Sequence, residues 1–138
     1  MIHPIHIYGH PVLRKKAEDF KIGEDINQLI EDMFLTMVNA HGSGLAAPQI
    51  GISKRIFIID NGVKRVFINP KIIREFGKEW SFNEGCLSVP GISSLVDRKS
   101  NIELEYYDSD WKYHKEELNG IEARIIQHEY DHIEGILY

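Results

Sequence analysis

Apolar residues recur at helical spacing in the first third of the chain. Between residues 26 and 38 they fall three or four positions apart, which places them on one face of a helix. These residues are Ile26, Leu29, Ile30, Met33, Phe34, Met37 and Val38. Asp25 and Gln28 resemble a capping pair at the start, and the turn-prone "HGSG" begins at residue 41. The pattern predicts a helix that begins at Asp25 and ends before residue 41.

Short runs of β-branched and aromatic residues follow and predict two antiparallel hairpins. The first combines "RIFIID" at 55–60 with "VFINPKII" at 66–73, on either side of the turn-prone pair Asn61-Gly62. In the second, "NIELEYYD" from residue 101 alternates Ile102, Leu104 and Tyr106 with polar neighbours. We expect it to pair with "WKYHKEEL" from residue 111 across a turn at residues 108–110.

A second helix is predicted at the end of the sequence. Asn119 is a suitable N-cap with Glu122 three residues later, and Gly135 is a suitable terminator. The strands therefore pair locally between two helices instead of alternating with helices along the chain. This order predicts an α+β fold for a single domain that spans residues 1–138.

Composition and charge narrow the functional classes. The chain has 138 residues, 43% hydrophobic and 27% charged, as expected for one globular domain. Its net charge is -5 and its longest basic run is Arg14-Lys15-Lys16, which disfavours a specific nucleic-acid partner. No run of 18 apolar residues occurs, and "MIHPIHIYGH" lacks the pattern of a secretory signal, so we expect a cytoplasmic protein without membrane association.

The predicted second helix carries a metal-binding motif, H-E-x-x-H, in "QHEYDH". His128 and His132 would share one helix face about 6 Å apart, so both imidazoles can bind one ion. Glu129 would then act as a base on metal-bound water without binding the metal itself. The alternative interpretation is a histidine-rich helix face that is simply solvated.

A third metal ligand must come from upstream of the motif. Only six residues follow His132, too few for the more distant glutamate of one class of zinc peptidases. Tyr138 stands where the metzincin pattern requires its third histidine. Cys86 in "NEGCLSVPG" is the strongest candidate, since a lone cysteine is a buried side chain, a reactive thiol or a metal ligand. The remaining histidines are interpreted as surface or core residues: His3, His6, His10, His41 and His114.

Three segments together resemble the peptide deformylase family. They are "GSGLAAPQIG" at 42–51, "EGCLSVPG" at 84–91 and "QHEYDHIEG" at 127–135, in the order and spacing of that family. The opening "YGHPVLRKKAEDF" is similar as well, so the resemblance covers nearly the whole chain. It implies an α+β fold with antiparallel β-sheets packed around the metal-binding helix. It also implies hydrolysis of the formyl group from N-formylmethionyl peptides.

The resemblance assigns a role to several residues at the metal. Glu129 would act first as general base and then as general acid. The implied metal ligands are Cys86, His128 and His132. The implied donors to the oxyanion are the side-chain amide of Gln49 and the backbone N–H of Leu87. Glu84 could anchor the loop around Cys86 and Asp131 could orient a ligand imidazole, although a solvated charge is an equally good interpretation of each.

Other residues would bind the substrate. The backbone of Gly44 would hold the peptide extended, and the implied side-chain pocket includes Phe82, Ile121 and Ile125. Many relatives carry Ile or Val where this chain has Ser43, which makes one edge of the pocket more polar. By itself, "GSGLAAPQ" also suits a turn from helix to strand, in which Gly42 and Gly44 would tolerate a positive φ.

The resemblance implies Fe(II) as the physiological metal, whereas ligand type favours Zn(II), and Ni(II) or Co(II) could replace either in preparations. Many members continue into a further helix that contributes to ribosome docking, while this sequence ends at Tyr138, so transient ribosome association is left open. Two alternatives to the deformylase remain. A peptidase using the same helix would cleave internal peptide bonds. A non-catalytic metal-stabilised binding module would have four protein ligands and would tolerate replacement of Glu129.

Overall fold

The computed structural model describes residues 1–137, so Tyr138 lies outside the described residues. Two α-helices, two short 3₁₀ helices and five strands follow one another in this region. In chain order they are η1 (Pro11–Arg14), α1 (Asn27–Asn39), β1 (Gly44–Ala46), η2 (Ala47–Ile50), β2 (Ile56–Asp60), β3 (Lys64–Cys86), β4 (Val89–Tyr107), β5 (Tyr113–Asn119) and α2 (Gly120–Ile133). The strands form one antiparallel sheet in the order β1-β2-β3-β4-β5. The predicted α+β class is confirmed.

Both predicted hairpins are present, but a third and longer hairpin joins them. β2 pairs with β3, and β4 pairs with β5, as expected. β3 and β4 also pair with each other along most of their length, as far as Cys86 opposite Val89. The sequence did not predict strand at residues 74–86 because most of these side chains are exposed and mix charged with apolar types. Without a buried face, the strand leaves no period-two pattern.

Strand β2 is buried on both faces, which explains the unbroken apolar run in "RIFIID". Phe57 and Ile59 pack with residues of α2, whereas Ile56 and Ile58 pack with residues of α1. All four side chains are fully buried. Each contributes roughly 1.5–3 kcal/mol to folding by leaving water. The two helices therefore cover opposite faces of the sheet.

Helix α1 begins later than the sequence suggested. Its first residue is Asn27, and the cap residue before it makes no side-chain hydrogen bond to the helix. The Asp25 carboxylate accepts from the Asn27 backbone N–H at 3.2 Å, and the Gln28 amide donates to Asp32 at 2.8 Å. The predicted capping pair is therefore wrong, because each side chain has a different partner.

Helix α2 is confirmed in extent, while its predicted cap is wrong. Asn119 precedes the helix but makes no side-chain capping bond. At the other end, Gly135 has a φ of 82° and ends the helical path. Arg55 donates to the Ile133 carbonyl at 3.5 Å and to the Glu134 carboxylate at 3.1 Å, so the sheet holds this end of the helix. Within residues 1–137, no helix is both long and apolar enough to span a membrane.

Candidate metal centre

Three ligand atoms converge where β3 meets α2. Cys86 is the last residue of β3, and His128 and His132 lie one turn apart on α2. The Cys86 Sγ is 3.2 Å from the His132 Nε2, which is 3.2 Å from the His128 Nε2. Neighbouring ligand atoms around a tetrahedral zinc lie roughly 3.3–3.6 Å apart. The three residues predicted as ligands are thus together at nearly the spacing of a coordination site.

The arrangement fits a divalent metal ion. All three ligand atoms lie within 4.8 Å of one another, so one ion could contact all of them. One thiolate and two imidazoles are the ligands preferred by zinc and iron ions in proteins, and three protein ligands leave one position for water or substrate. His132 is fully buried, and within residues 1–137 its Nδ1 has no hydrogen-bond partner. Its other nitrogen faces the two remaining ligands, which is the orientation that metal binding requires.

The two histidines have opposite pKa shifts. Burial, followed by the positive charges of His128 and Arg98, lowers the pKa of His132 to about 3 and keeps this imidazole neutral. Burial alone would also lower the pKa of His128, but hydrogen bonds to Cys86 and Glu84 and the charge of Glu129 raise it to about 10. The negative groups that hold the proton on His128 also favour a cation in its place.

Glu84 supports the metal centre from behind His128. Its Oε1 lies 2.9 Å from the His128 Nδ1, and Arg98 donates to the same carboxylate at 2.7 and 2.9 Å. Arg124 donates a further short hydrogen bond to it. Burial would raise the pKa of Glu84, but His128 and Arg98 lower it to about 2. Because the ionised carboxylate can only accept, the proton sits on Nδ1 and directs Nε2 towards the metal position.

Asp131 has a different partner from the one predicted. It accepts a hydrogen bond from the Arg98 Nη1 at 2.8 Å instead of orienting a ligand imidazole directly. Burial raises the pKa of its carboxyl in spite of the neighbouring Arg98. Asp131 therefore has its hydrogen bond to Arg98, and it acts on His128 and Glu129 through its charge.

Glu129 lies beside the ligands in a closely fitted space. It is 4% exposed, and within the described part of the chain its Oε1 has no hydrogen-bond partner. Burial, partly opposed by His128 and Arg98, raises its pKa to about 7. A Cβ atom on Gly44 would lie only 2.6 Å from the Glu129 Oε2. Neither Gly42 nor Gly44 has a positive φ, so the prediction that these glycines adopt one is wrong. A glycine is needed at residue 44 because a larger side chain would not fit beside Glu129.

Gln49 is held with its NH₂ group towards the metal centre. Its Oε1 accepts from the Ala46 backbone N–H at 2.9 Å, which fixes which end of the amide faces outward. The Nε2 donates to the Ser88 Oγ at 3.2 Å and lies 3.8 Å from the Cys86 Sγ. Leu87 and Ser88 form the two-residue turn between β3 and β4. Both predicted oxyanion donors are therefore adjacent to the ligands.

A cleft of about 640 Å³ opens over this centre. Its lining includes Glu129, Gln49 and Leu87, together with the candidate metal ligands Cys86 and His128. All five residues predicted to bind substrate also line it: Ser43, Gly44, Phe82, Ile121 and Ile125. The three apolar members of that group come from β3 and the first half of α2, whereas Gln49 comes from η2.

Sequence reasoning missed Arg98, Arg124 and Ser88. Arg124 is 3% exposed, lines the cleft and lies over the Trp80 ring at 4.4 Å. One signal was available, because Arg124 precedes His128 by four residues and so shares its helix face. An arginine on the face that meets the sheet needs a buried acid, and Glu84 is that acid. Arg98 and Ser88 gave no such signal, since their roles depend on strand register.

Comparison with known proteins gives a consistent result. The family model described as "Polypeptide deformylase" matches residues 2–138. A peptide deformylase of Cytophaga hutchinsonii is 51% identical, with 100% of this chain and 80% of that protein covered. A peptide deformylase of Pseudothermotoga lettingae is 43% identical, with coverage of 100% and 81%.

Solved structures agree with the sequence relatives. The crystal structure of the peptide deformylase from Thermotoga maritima superposes with a TM-score of 0.95 at 40% identity, covering 99% of this chain and 95% of that one. The enzyme from Synechococcus elongatus in complex with actinonin gives a TM-score of 0.94 at 40% identity, with coverage of 100% and 79%. Family model, relatives and structures all span nearly the whole chain, and so the protein belongs to the polypeptide deformylase family.

Proposed function

We propose that Cys86, His128 and His132 hold the metal with which this hydrolase removes the formyl group from N-formylmethionyl peptides. Deformylation of nascent peptides is the activity of the family, and the products are formate and a free amino terminus. The convergence of the three ligand atoms beside Glu129, at the floor of a cleft, is the observation that supports these roles. The open side of the ligand set leaves room for a small carbonyl group and water.

Glu129 is the proposed proton carrier of the reaction. A divalent ion held by these residues would supply Lewis-acid chemistry, since it would polarise the formyl carbonyl and lower the pKa of water towards about 7. Glu129 has a pKa of about 7, so its carboxylate can take a proton from water and return it to the departing amine near neutral pH. Its position next to Gly44 keeps the carboxylate at one place in the cleft.

Gln49 and Leu87 are the proposed donors to the developing oxyanion. The Gln49 Nε2 lies 3.8 Å from the Cys86 Sγ, and Leu87 directly follows Cys86 in the chain. Both donors would therefore be near the formyl oxygen, which gains negative charge as water adds to the carbon. Because Ala46 and Ser88 already hold the Gln49 amide, little reorganisation is needed when the charge forms. A donor of this kind typically contributes about 2.7–4 kcal/mol to lowering the barrier.

The cleft is suited to an extended peptide with an apolar first side chain. Among the strands of residues 1–137, β1 is the end strand of the sheet and pairs with β2 alone, so the edge that carries Gly44 can accept a further strand. Phe82, Ile121 and Ile125 provide an apolar surface for the methionine side chain, and Ser43 provides a polar edge. Substrate recognition would thus combine backbone pairing with one side-chain pocket.

The family resemblance favours Fe(II) as the physiological metal, with Zn(II), Ni(II) and Co(II) as replacements that suit the same ligands. Since N-formylmethionyl chains arise on ribosomes, the proposed location is the cytoplasm and the proposed substrate is a chain still being synthesised. Transient binding to ribosomes remains a prediction. Co-sedimentation of the intact protein with ribosomes at low and physiological salt would test it.

The activity is tested by formate release from formyl-Met-Ala-Ser under anaerobic conditions, with the bound metal quantified. We expect the intact protein to be active and Glu129→Gln to lose activity by about 10²–10⁴-fold while keeping the metal. Glu122→Gln, on the first turn of the same helix, is the matched control and should remain active. If the metal-loaded intact protein releases no formate, the proposed function is wrong. If Glu129→Gln is active, the role of Glu129 is wrong.

A further inference from the structure

Residues 5–8, which we call the N-terminal strap, contact two segments of the candidate metal centre. The backbone N–H of His6 donates to the Gln49 carbonyl at 2.7 Å, and the backbone N–H of Tyr8 donates to the Ser88 carbonyl at 2.7 Å. Gln49 and Ser88 are 39 residues apart in sequence and also share a side-chain hydrogen bond of 3.2 Å. The side chains of Gln49 and Ser88 join these two segments directly. The strap joins the same two segments through its own backbone N–H groups.

These two segments have no strand pairing with each other. Gln49 lies in η2, directly after β1, and the Leu87–Ser88 turn follows β3. In the sheet, β2 separates β1 from β3, so no ladder of hydrogen bonds fixes the distance between the two segments. A four-residue 3₁₀ helix and a two-residue turn also have few internal hydrogen bonds of their own. Contacts between the segments must therefore set their relative position.

The strap is itself anchored at both ends. Upstream, the His3 backbone N–H donates to the Thr36 hydroxyl of α1 at 3.0 Å. Downstream, the buried side chains of Val12 and Leu13 in η1 pack against Val89 at the start of β4. Between these anchors, the His6 imidazole occupies the space next to Gly51, where a Cβ atom would meet the His6 Nε2 at 2.6 Å. The strap is thus fixed relative to both α1 and β4.

We propose that the backbone N–H groups of His6 and Tyr8 position Gln49 and the Leu87–Ser88 turn for catalysis, which makes the strap a positioning element of the oxyanion site. This inference rests on the proposed function, since Gln49 and Leu87 are the groups that would bind the oxyanion. The reaction is sensitive to such positioning, because a displacement of about 1 Å can lower a rate by about 100-fold. The strap would affect kcat much more than KM, because the oxyanion forms only in the transition state.

Two deletions of the intact enzyme separate this role from general support of the N-terminus. Deletion of residues 2–8 removes both N–H donors, whereas deletion of residues 2–4 keeps them and removes only the upstream anchor. For formyl-Met-Ala-Ser, we expect the longer deletion to lower kcat by about 10–100-fold, with KM and bound metal within about twofold. The shorter deletion should keep kcat within about threefold. A folded, metal-loaded 2–8 deletion with full kcat would overturn the proposal, as would equal losses in both deletions.

Point variants test the same idea if the longer deletion fails to fold. Gly51→Ala and Gly62→Ala introduce the same backbone strain, since the φ angles are 87° and 93°, but nothing lies within 4 Å of a Cβ at Gly62. We expect Gly51→Ala to lower kcat by about tenfold or more, while Gly62→Ala leaves it unchanged. Adding His6→Ala to Gly51→Ala should restore kcat, because alanine keeps the N–H donor and clears the space. Failure of this restoration would contradict the proposed role of the strap.

A double-variant cycle shows whether the strap acts through the oxyanion site. In a Gln49→Ala background, deleting residues 2–8 should lower kcat by a smaller factor than in the intact enzyme, because one of the two donors that the strap positions is already lost. An undiminished further loss would mean that the strap acts elsewhere and would overturn the proposal. Every comparison starts from an intact enzyme that releases formate. An intact enzyme that releases no formate would instead refute the proposed function. The failure of the proposed function can therefore be distinguished from the failure of the proposed role of the strap.

Discussion

A methyl group at residue 44 would enter the space that the Glu129 carboxylate occupies. The Cβ of Gly44→Ala would lie 2.6 Å from the Glu129 Oε2 and 3.0 Å from its Cδ. Glu129 is 4% exposed and has little room to retreat, so the carboxylate must shift. We expect kcat/KM for formyl-Met-Ala-Ser to fall by about 100-fold or more, with the metal retained.

Gly42→Ala is the matched comparison for this variant. Its Cβ would lie 2.7 Å from the Leu87 Cδ1, which is the far end of a flexible side chain. Since Leu87 can rotate away, the loss of kcat/KM should stay below about tenfold. Equal losses in the two variants would show that the loop backbone, and not the space around Glu129, controls activity.

Glu84 offers a second prediction at the residue scale. Glu84→Gln removes the ionised acceptor that holds the His128 Nδ1 proton, so Nε2 would be less basic and less well directed. We expect metal affinity to fall by about 10–100-fold, measured by competition with a chelator of known affinity. Glu79→Gln, an exposed position on the same strand, is the control. An unchanged affinity in Glu84→Gln would mean that the charge of the Glu84 carboxylate is not what directs the His128 Nε2 towards the metal position.

At the scale of elements, the sequence predicts those helices and strands that have a buried face, because burial leaves a hydrophobic pattern. The end of α2 before Gly135 and nearly all of β2 were predictable, because a glycine with a positive φ ends the helix and both faces of β2 are buried. The distal part of the β3–β4 hairpin was not, since pairing between exposed strands leaves no hydrophobic period. The same division applies to the site. Motif residues such as His128 can be recognised from their spacing in the sequence. Arg98 cannot, because its contact with Glu84 depends on the register that pairs β3 with β4.

The β4–β5 hairpin depends on one carboxylate, that of Asp108. Its Oδ1 accepts from the backbone N–H groups of Asp110 and Lys112 at 2.9 and 3.0 Å, and its Oδ2 lies 2.7 Å from the His114 Nε2. Asp108→Ala should therefore lower the free energy of unfolding by about 1–2 kcal/mol at pH 7. Asp110→Ala, which leaves these bonds in place, should change it by less than about 0.5 kcal/mol. Urea denaturation of the three proteins measures both values.

The stabilisation by Asp108 should also depend on pH. Burial would raise the pKa of this carboxyl, but the hydrogen bonds from His114, Lys112 and Asp110 together hold it below its ordinary value of 3.8. A lowered pKa in the folded state means that the stabilisation is complete well above pH 3.8 and declines as pH falls through the folded-state pKa. The difference between the intact protein and Asp108→Ala should therefore decrease in acid. A difference that grows as the pH falls below 3.8 would contradict this assignment.

At the scale of the whole molecule, the metal centre lies where the layers of the fold meet. Cys86 belongs to the sheet, whereas His128 and His132 belong to the helix that covers one face of it. A metal bound to all three would link β3 to α2, two segments 42 residues apart from Cys86 to His128. Arg98 and Arg124 link the same layers through Glu84. Catalytic geometry and the packing of the helix on the sheet are therefore coupled.

Metal removal should consequently lower the stability of the whole fold. An ion that binds the folded state alone stabilises it by about 2.7 kcal/mol at 100 times its Kd, which corresponds to a rise of roughly 5–15 °C in Tm for a chain of this size. We expect Tm to fall by this amount when a chelator strips Zn(II) or Ni(II), and to recover when the ion is restored. His132→Ala should show almost no metal-dependent shift, while His114→Ala, on β5 and outside the group of three ligands, should keep it. A full shift in His132→Ala would place the stabilising ion at another site.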